Sequence, residues 1–256
     1  MTKDAAFRRF NFRRSVFIDT ETTGLAGGTG TVAFLVGIGY FEGEQFRLRQ
    51  YFLRDFDEEA ATLHSITELM EDFDYLVSFN GKAFDIPLLS TRYLLNRLKS
   101  PLDEMPNLDL LFSARRLFRE RLKSVSLSSL EHNLFGLRRV GDIPGFEIPS
   151  VYFQYLRDKD PTPLKPIFHH NRIDILSMVT LAVKLAKALE NPFCLDNCSD
   201  EDYYCLGRIF ADMGDIDKAI DCYTKALDVP GVKEKAYVQL SLMYKRLGRL
   251  TDAEEL

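Results

Sequence analysis

Short apolar runs separated by turn residues fill the first half of the chain, and helical periodicity takes over in the second. Residues 15–18, Ser-Val-Phe-Ile, predict a buried strand that ends at Asp19. A glycine-rich turn follows, from Gly24 to Gly30. Residues 32–41 and 45–53, joined by Glu42-Gly43-Glu44, predict a β-hairpin. Over residues 58–72 the apolar positions Ala61, Leu63, Ile66 and Leu69 recur at helical spacing. Residues 75–79 form a short apolar run closed by Asn80-Gly81. A second helix is expected over 85–98, with Pro87 tolerated in its first turn. Residues 108–110 predict a brief further strand. Helical segments follow, ending in a long one from about 168 to 189.

Three strands in sequence that run on into strand–helix units are the pattern of a mixed β-sheet flanked by helices, an α/β fold. The glycine turn lacks the G-x-G-x-x-G spacing of a dinucleotide site. Asn191-Pro192 marks the expected boundary between a first domain, residues 1–190, and a second, 191–256. Beyond it the sequence repeats with a period of 34: Tyr203, Leu206, Phe210, Gly214 and Ala219 recur as Tyr237, Leu240, Tyr244, Gly248 and Ala253. That period, with large residues on a first helix and a small one on a second, is the tetratricopeptide signature. It predicts one complete all-α repeat and the beginning of another. Such repeats bind protein or peptide partners.

Charge changes the picture once it is divided. The net charge of -5 lies entirely in residues 191–256, with 8 basic and 13 acidic side chains, while residues 1–190 carry 25 of each. If four carboxylates of the first part hold metal ions, its remaining surface is mildly basic and suits a polyanion. Cys194, Cys198, Cys205 and Cys222 fit no common zinc spacing and read as reduced thiols of a cytoplasmic protein. No secretory signal is visible, and no apolar run approaches the ~20 residues of a membrane helix.

Three stretches carry candidate chemistry. In Asp19-Thr20-Glu21 the two acids sit at i and i+2, on one side of a strand. Two carboxylates held together repel unless a cation lies between them, although a solvated strand end would also accept this pattern. Asp85 follows Phe79-Asn80-Gly81-Lys82-Ala83-Phe84 and has the look of a helix N-cap. Asp174 lies among Ile173, Ile175, Leu176, Met178 and Val179 on the long helix, where an acid either faces water or needs a partner.

Together these stretches resemble the DEDD exonuclease superfamily, the proofreading-type or DnaQ-like nucleases. Phe17-Ile18-Asp19-Thr20-Glu21-Thr22-Thr23-Gly24-Leu25 is similar to the first motif of that family. Asn80 with Phe84-Asp85-Ile86-Pro87-Leu88-Leu89 is similar to the second, and His170 with Asp174 to the third. The resemblance covers residues of roughly 14–190. With the repeats, it points to the bacterial subgroup that joins such a nuclease to a tetratricopeptide tail. It implies a ribonuclease H-like fold and 3′–5′ exonuclease activity. It further implies two Mg²⁺ or Mn²⁺ ions held by Asp19, Glu21, Asp85 and Asp174, and hydrolysis of phosphodiester bonds at a 3′ end, in single-stranded DNA or RNA.

The third motif departs from the simplest family pattern. One branch has a histidine five residues before the last acid, here His169; another has a tyrosine four residues before it, here His170. On a helix an offset of four returns to the same face, so His170 is the expected base. Thr22, Thr23 and Leu25 match positions that line the terminal nucleotide in the family. Asn80 joins that set, and Phe84, like Phe79, is a candidate to stack on a base. The dense basic stretch from Ser113 to Arg139 is a candidate phosphate track or a solvated helix face. Residues 141–166, with five prolines, read as a semi-ordered flap beside the site. Two other readings keep the same residues: a structure-selective endonuclease, and an inactive scaffold that binds partners through its repeats.

Overall fold

The computed structural model describes residues 7, 9–24, 28–194 and 199–256. Its residues fall into two compact units, Thr2–Leu110 with Gly136–Thr180, and Leu111–Phe135 with Leu181–Leu256. Leu25 and Cys198 lie outside the described residues.

The first unit is built on a five-stranded sheet in the order β3-β2-β1-β4-β5. Strands β1 (Ser15–Thr22), β2 (Ala33–Glu42) and β3 (Gln45–Phe52) form the antiparallel meander. Strands β4 (Tyr75–Ser78) and β5 (Asn107–Asp109) add in parallel on the other side of β1, after helices α1 (Glu59–Met70) and α2 (Asp85–Leu95). The expected order is therefore present. One shift matters: β1 does not stop at Asp19 but runs to Thr22, so both acids of the first motif are strand residues. Val16 and Ile18 face a core with Val36, Ile38, Leu63, Ile66 and Met70. Asp19 and Glu21, at the alternate positions, project from the opposite face. The pairing of β1 with β2 slips between Glu21 and Thr22, a bulge that bends the strand just past the second acid.

Helix α6 (Lys165–Glu190) lies against that opposite face. Its approach depends on two glycines of β2. Gly37 pairs with Asp19, and Gly39 with Phe17. A Cβ at Gly37 would collide with the Asn171 amide and come within 2.6 Å of Ile175; one at Gly39 would meet Phe46 and come within 2.6 Å of Ile175. Glycine in a strand usually weakens it, but here it admits another backbone at close range.

Helix α5 (Ile148–Asp158) corrects the expected flap. Tyr152 is fully buried and stacks on Phe34 at 3.9 Å between ring centroids, while Ile148 and Tyr155 join the same core. Burying three large side chains outweighs the loop tendency that the prolines suggested, and Pro149 falls in the first turn, where it is tolerated. Residues 136–147, ahead of α5, form an irregular segment.

In the second unit, α7 (Asp200–Met213), α8 (Ile216–Ala226), α9 (Lys233–Arg246) and α10 (Leu250–Glu254) follow the predicted repeat. Gly214 and Gly248 end α7 and α9 with φ of 82° and 73°, the left-handed cap that glycine takes most easily. Gly207 lies under the ring of Tyr223, which leaves no room for a Cβ. Helix α3 (Leu110–Phe118) and the turns after it belong largely with these helices: Arg116 pairs with Asp212, Arg121 with Asp202 at 3.1 Å, and Glu120 with Lys235 at 2.7 Å. Arg116 and Arg121 of the basic stretch are thus engaged with acids of this unit. Cys205 and Cys222 are buried thiols outside any disulfide, and burial pushes the Cys205 thiol up to about 11.

Replacing Gly37 with alanine should lower the stability of the protein by about 1–3 kcal/mol, the usual cost of overpacking a core. Urea denaturation of Gly37→Ala beside Gly43→Ala, where a Cβ meets nothing but φ is 60°, separates collision from backbone strain.

Candidate active site

Asp19 and Glu21 come from β1, Asp85 from the start of α2, and Asp174 from α6. Asn171, with no exposed surface, ties the helix to the strand: its amide donates to Asp19 Oδ2 at 2.8 Å. Gln50 on β3 donates in turn to Asn171 Oδ1 and to the Phe168 carbonyl, each at 2.9 Å, which fixes the amide orientation. Asp174 and His170, one turn apart on α6, meet Glu21, and one ligand atom from each of these three lies within 4.8 Å of the others. His169 points elsewhere and shares a 2.8 Å hydrogen bond with Arg172.

Asp85 is set by the chain reversal between β4 and α2. Asn80 adopts a left-handed φ of 65°, and its N–H donates to Asp109 Oδ1 at 2.8 Å; the Lys82 N–H reaches Asp109 Oδ2 at 3.2 Å. Gly81 passes so close to Ser78 that no side chain fits. Asp85 is not the cap that the sequence suggested but the first residue of the helix, following Phe84. Its carboxylate accepts from the Thr20 hydroxyl at 2.5 Å.

The electrostatics follow from crowding and burial. Asp19 is held well above the usual carboxylate range by burial first, then by the charges of Asp174, Asp85 and Glu21. Glu21 is raised by burial, Asp174, Asp85 and Asp142, with Arg139 opposing. Burial raises Asp85 to about 6, against the pull of the Thr20 hydrogen bond. Arg139, from the irregular segment, contributes positive charge: its guanidinium pairs with Asp174 and, at 3.2 Å, with Asp142. One arginine does not balance this many acids. Carboxylate oxygens with a single imidazole suit hard divalent cations such as Mg²⁺ and Mn²⁺.

Beside the acids lies a cavity of about 400 Å³, within the range of small-ligand sites. Thr20, Thr22, Phe84, Asp85 and Leu88 are among its lining, and Phe84 is 56% exposed although large and apolar. Thr22 donates to the Gly24 carbonyl at 2.8 Å. Thr23 is used otherwise: its hydroxyl accepts from the Val32 N–H at 2.9 Å, closing the loop, and it does not line the cavity. Nor does Asn80, whose backbone serves the turn. The loop wall is held by Arg92, which donates to the Thr29 carbonyl at 2.8 Å while clasping Glu59 with two hydrogen bonds of 2.6 and 2.7 Å.

Residues 16–186 match the RNase H superfamily, and residues 201–229 match the tetratricopeptide repeat. The chain belongs to the RNase H superfamily. Its RNase H-like domain carries a tetratricopeptide segment after it, as the sequence pattern implied. A protein of Bacillus subtilis (strain 168), YprB, described as uncharacterized, is 34% identical over 249 residues, 96% of this chain. The chain spans 60% of the length of that relative. Among solved structures, the family B DNA polymerase of the archaeon Pyrobaculum calidifontis shares the fold, with a TM-score of 0.51 and 17% identity over 78% of this chain and 29% of the polymerase. No helix among the described residues is long and apolar enough to cross a membrane.

Asn171, Asp109, Gln50, Arg139 and Asp142 escaped the sequence reading. Asn171 stood in plain view between the third-motif residues, and the Gly37-x-Gly39 spacing was the available signal that something packs tightly at that face. The others come from separate elements that only folding brings near.

The raised carboxylates set a pH dependence for the ion-free RNase H-like domain. A group whose folded value lies above its unfolded one stabilises the fold below the unfolded value and loses that contribution as pH rises through the folded value. For Asp85 the window runs from the ordinary 3.8 to about 6. In chelator, the stability of the wild type relative to Asp85→Asn should fall by up to about 3 kcal/mol between those limits. Paired urea titrations across that range check this, and added Mg²⁺ should restore the loss at neutral pH.

Proposed function

We propose that the protein is a metal-dependent 3′–5′ exonuclease that hydrolyses single-stranded DNA or RNA. The observation that carries this reading is the convergence of Asp19, Glu21, Asp85 and Asp174, from three distant stretches, on one buried spot beside a nucleotide-sized cavity. These four would hold two Mg²⁺ or Mn²⁺ ions. Such a pair supplies an activated water and stabilises charge on the leaving 3′ oxygen.

The residues of the chain do the rest. His170, on the Asp174 face of α6, accepts the proton from the attacking water through its ring nitrogen. Thr22 and Phe84 support a terminal nucleotide in the cavity, the threonine at the sugar and the phenylalanine by stacking. Leu25 belongs to the same set by its motif position. Arg92 and Thr23 tie the described ends of the bordering loop, at Thr29 and Val32. The tetratricopeptide segment suits a protein partner, and neither unit needs a membrane.

End-labelled DNA and RNA oligonucleotides, assayed with Mg²⁺ and with Mn²⁺, test the reading. Ladders of products shortened from the 3′ end are expected. Asp19→Asn should reduce hydrolysis to background without loss of stability, since it removes a buried charge and leaves the partner amide a hydrogen bond. Discrete cuts in a circular substrate would replace the exonuclease by an endonuclease. Absence of both hydrolysis and ion binding would leave a scaffold.

A further inference from the structure

We infer that Asp142 is a positioning residue that fixes the tautomer of His170, presenting Nε2 as the proton acceptor of the hydrolytic site. This rests on His170 being the base of the proposed reaction. Asp142 Oδ1 lies 2.8 Å from His170 Nδ1, and both side chains are largely buried, at 16% and 18% exposure. A carboxylate has no proton to give, so this contact requires Nδ1 to carry the hydrogen. Arg139 Nη1 is also near Nδ1, at 3.3 Å, but a ring nitrogen cannot donate and accept along the same direction. The guanidinium has better acceptors in Asp142 Oδ2, at 3.2 Å, and Asp174. With Nδ1 protonated, the neutral ring keeps its lone pair on Nε2, the nitrogen 3.5 Å from Asp174 Oδ2.

The segment that carries Asp142 is built to aim it. Gly141, at a φ of 72°, reverses the chain between Val140, which is 86% exposed, and Asp142. Ile143 packs into the core of Tyr152 and Phe34, which anchors the far side. Arg139 holds the second carboxylate oxygen, so the carboxylate cannot rotate away from the imidazole.

Asp142→Asn gives a sharp test, because Arg139 must then face the amide oxygen. The amide NH₂ is left toward Nδ1, which becomes an acceptor, and the ring proton moves to Nε2. Long-range ¹H–¹⁵N spectra of the Mg²⁺-loaded protein, with His170 assigned through His170→Gln, should show Nδ1 protonated in the wild type and Nε2 protonated in Asp142→Asn. The same substitution should lower kcat for a 5′-labelled oligonucleotide by about 10–100-fold, the usual effect of losing an orienting partner. KM and Mn²⁺ binding by calorimetry should stay within about twofold. Gly141→Ala, which displaces the carboxylate without changing its charge, should lower kcat in the same direction. A wild-type His170 protonated at Nε2, or full kcat in Asp142→Asn, overturns the inference. If the wild type cleaves nothing, the nuclease reading fails, and the tautomer alone decides whether Asp142 sets the ring.

Discussion

Several carboxylates are crowded together at buried and partly buried positions, where water screens them poorly, and the rest of the first unit is arranged around that burden. Burial and mutual repulsion both act to protonate Asp19, Glu21 and Asp85. A fold optimised for stability alone would not keep such a cluster, because an unpaired buried charge is among the costliest features a protein can hold. The surroundings reduce the cost without removing the charge. Asn171 donates to Asp19, Thr20 to Asp85, and Arg139 to Asp174.

The sheet supplies the geometry that makes the cluster possible. Strand alternation puts Asp19 and Glu21 on one face, and the glycine pair of β2 lets α6 settle onto that face. If β2 carried side chains at 37 and 39, the helix would stand off and Asn171 could not reach Asp19. The order of the strands matters as well. With β1 central, between the antiparallel β2 and the parallel β4, its end is flanked by the turn that delivers Asp85.

Much of this was legible in the residues. The D-x-E spacing on a strand, the Asn80-Gly81 turn before Asp85 and the i, i+4 pairing of His170 with Asp174 each follow from local periodicity, and each is found in its expected element. The 34-residue period likewise announced α7 to α10. What was hidden depends on distance along the chain. Asp109 supports the Asn80 turn from a strand 29 residues later, and Gln50 steadies an amide 121 residues away. Arg139 looked like part of a basic surface, because sequence proximity to Arg138 says nothing about which way each side chain turns. The proline-rich stretch misled for a related reason: proline count reports local backbone bias, whereas the burial of Tyr152 against Phe34 is a tertiary fact.

The irregular segment before α5 therefore carries more than its lack of regular structure suggests. Regular elements place the four clustered carboxylates, which in the proposed reaction need accurate positions but only interchangeable cations as partners. A proton acceptor needs something else: a ring held in one tautomer as well as one place. A helix can set the position of His170, but the acceptor that Nδ1 meets, the Asp142 carboxylate, comes from the loop. The tautomer has to be set from outside. A loop turned by Gly141 and anchored by Ile143 can bring a carboxylate to Nδ1 from a direction that neither the sheet nor α6 provides. The division of labour is physical: strands and helix gather charge, and the loop decides where one proton sits.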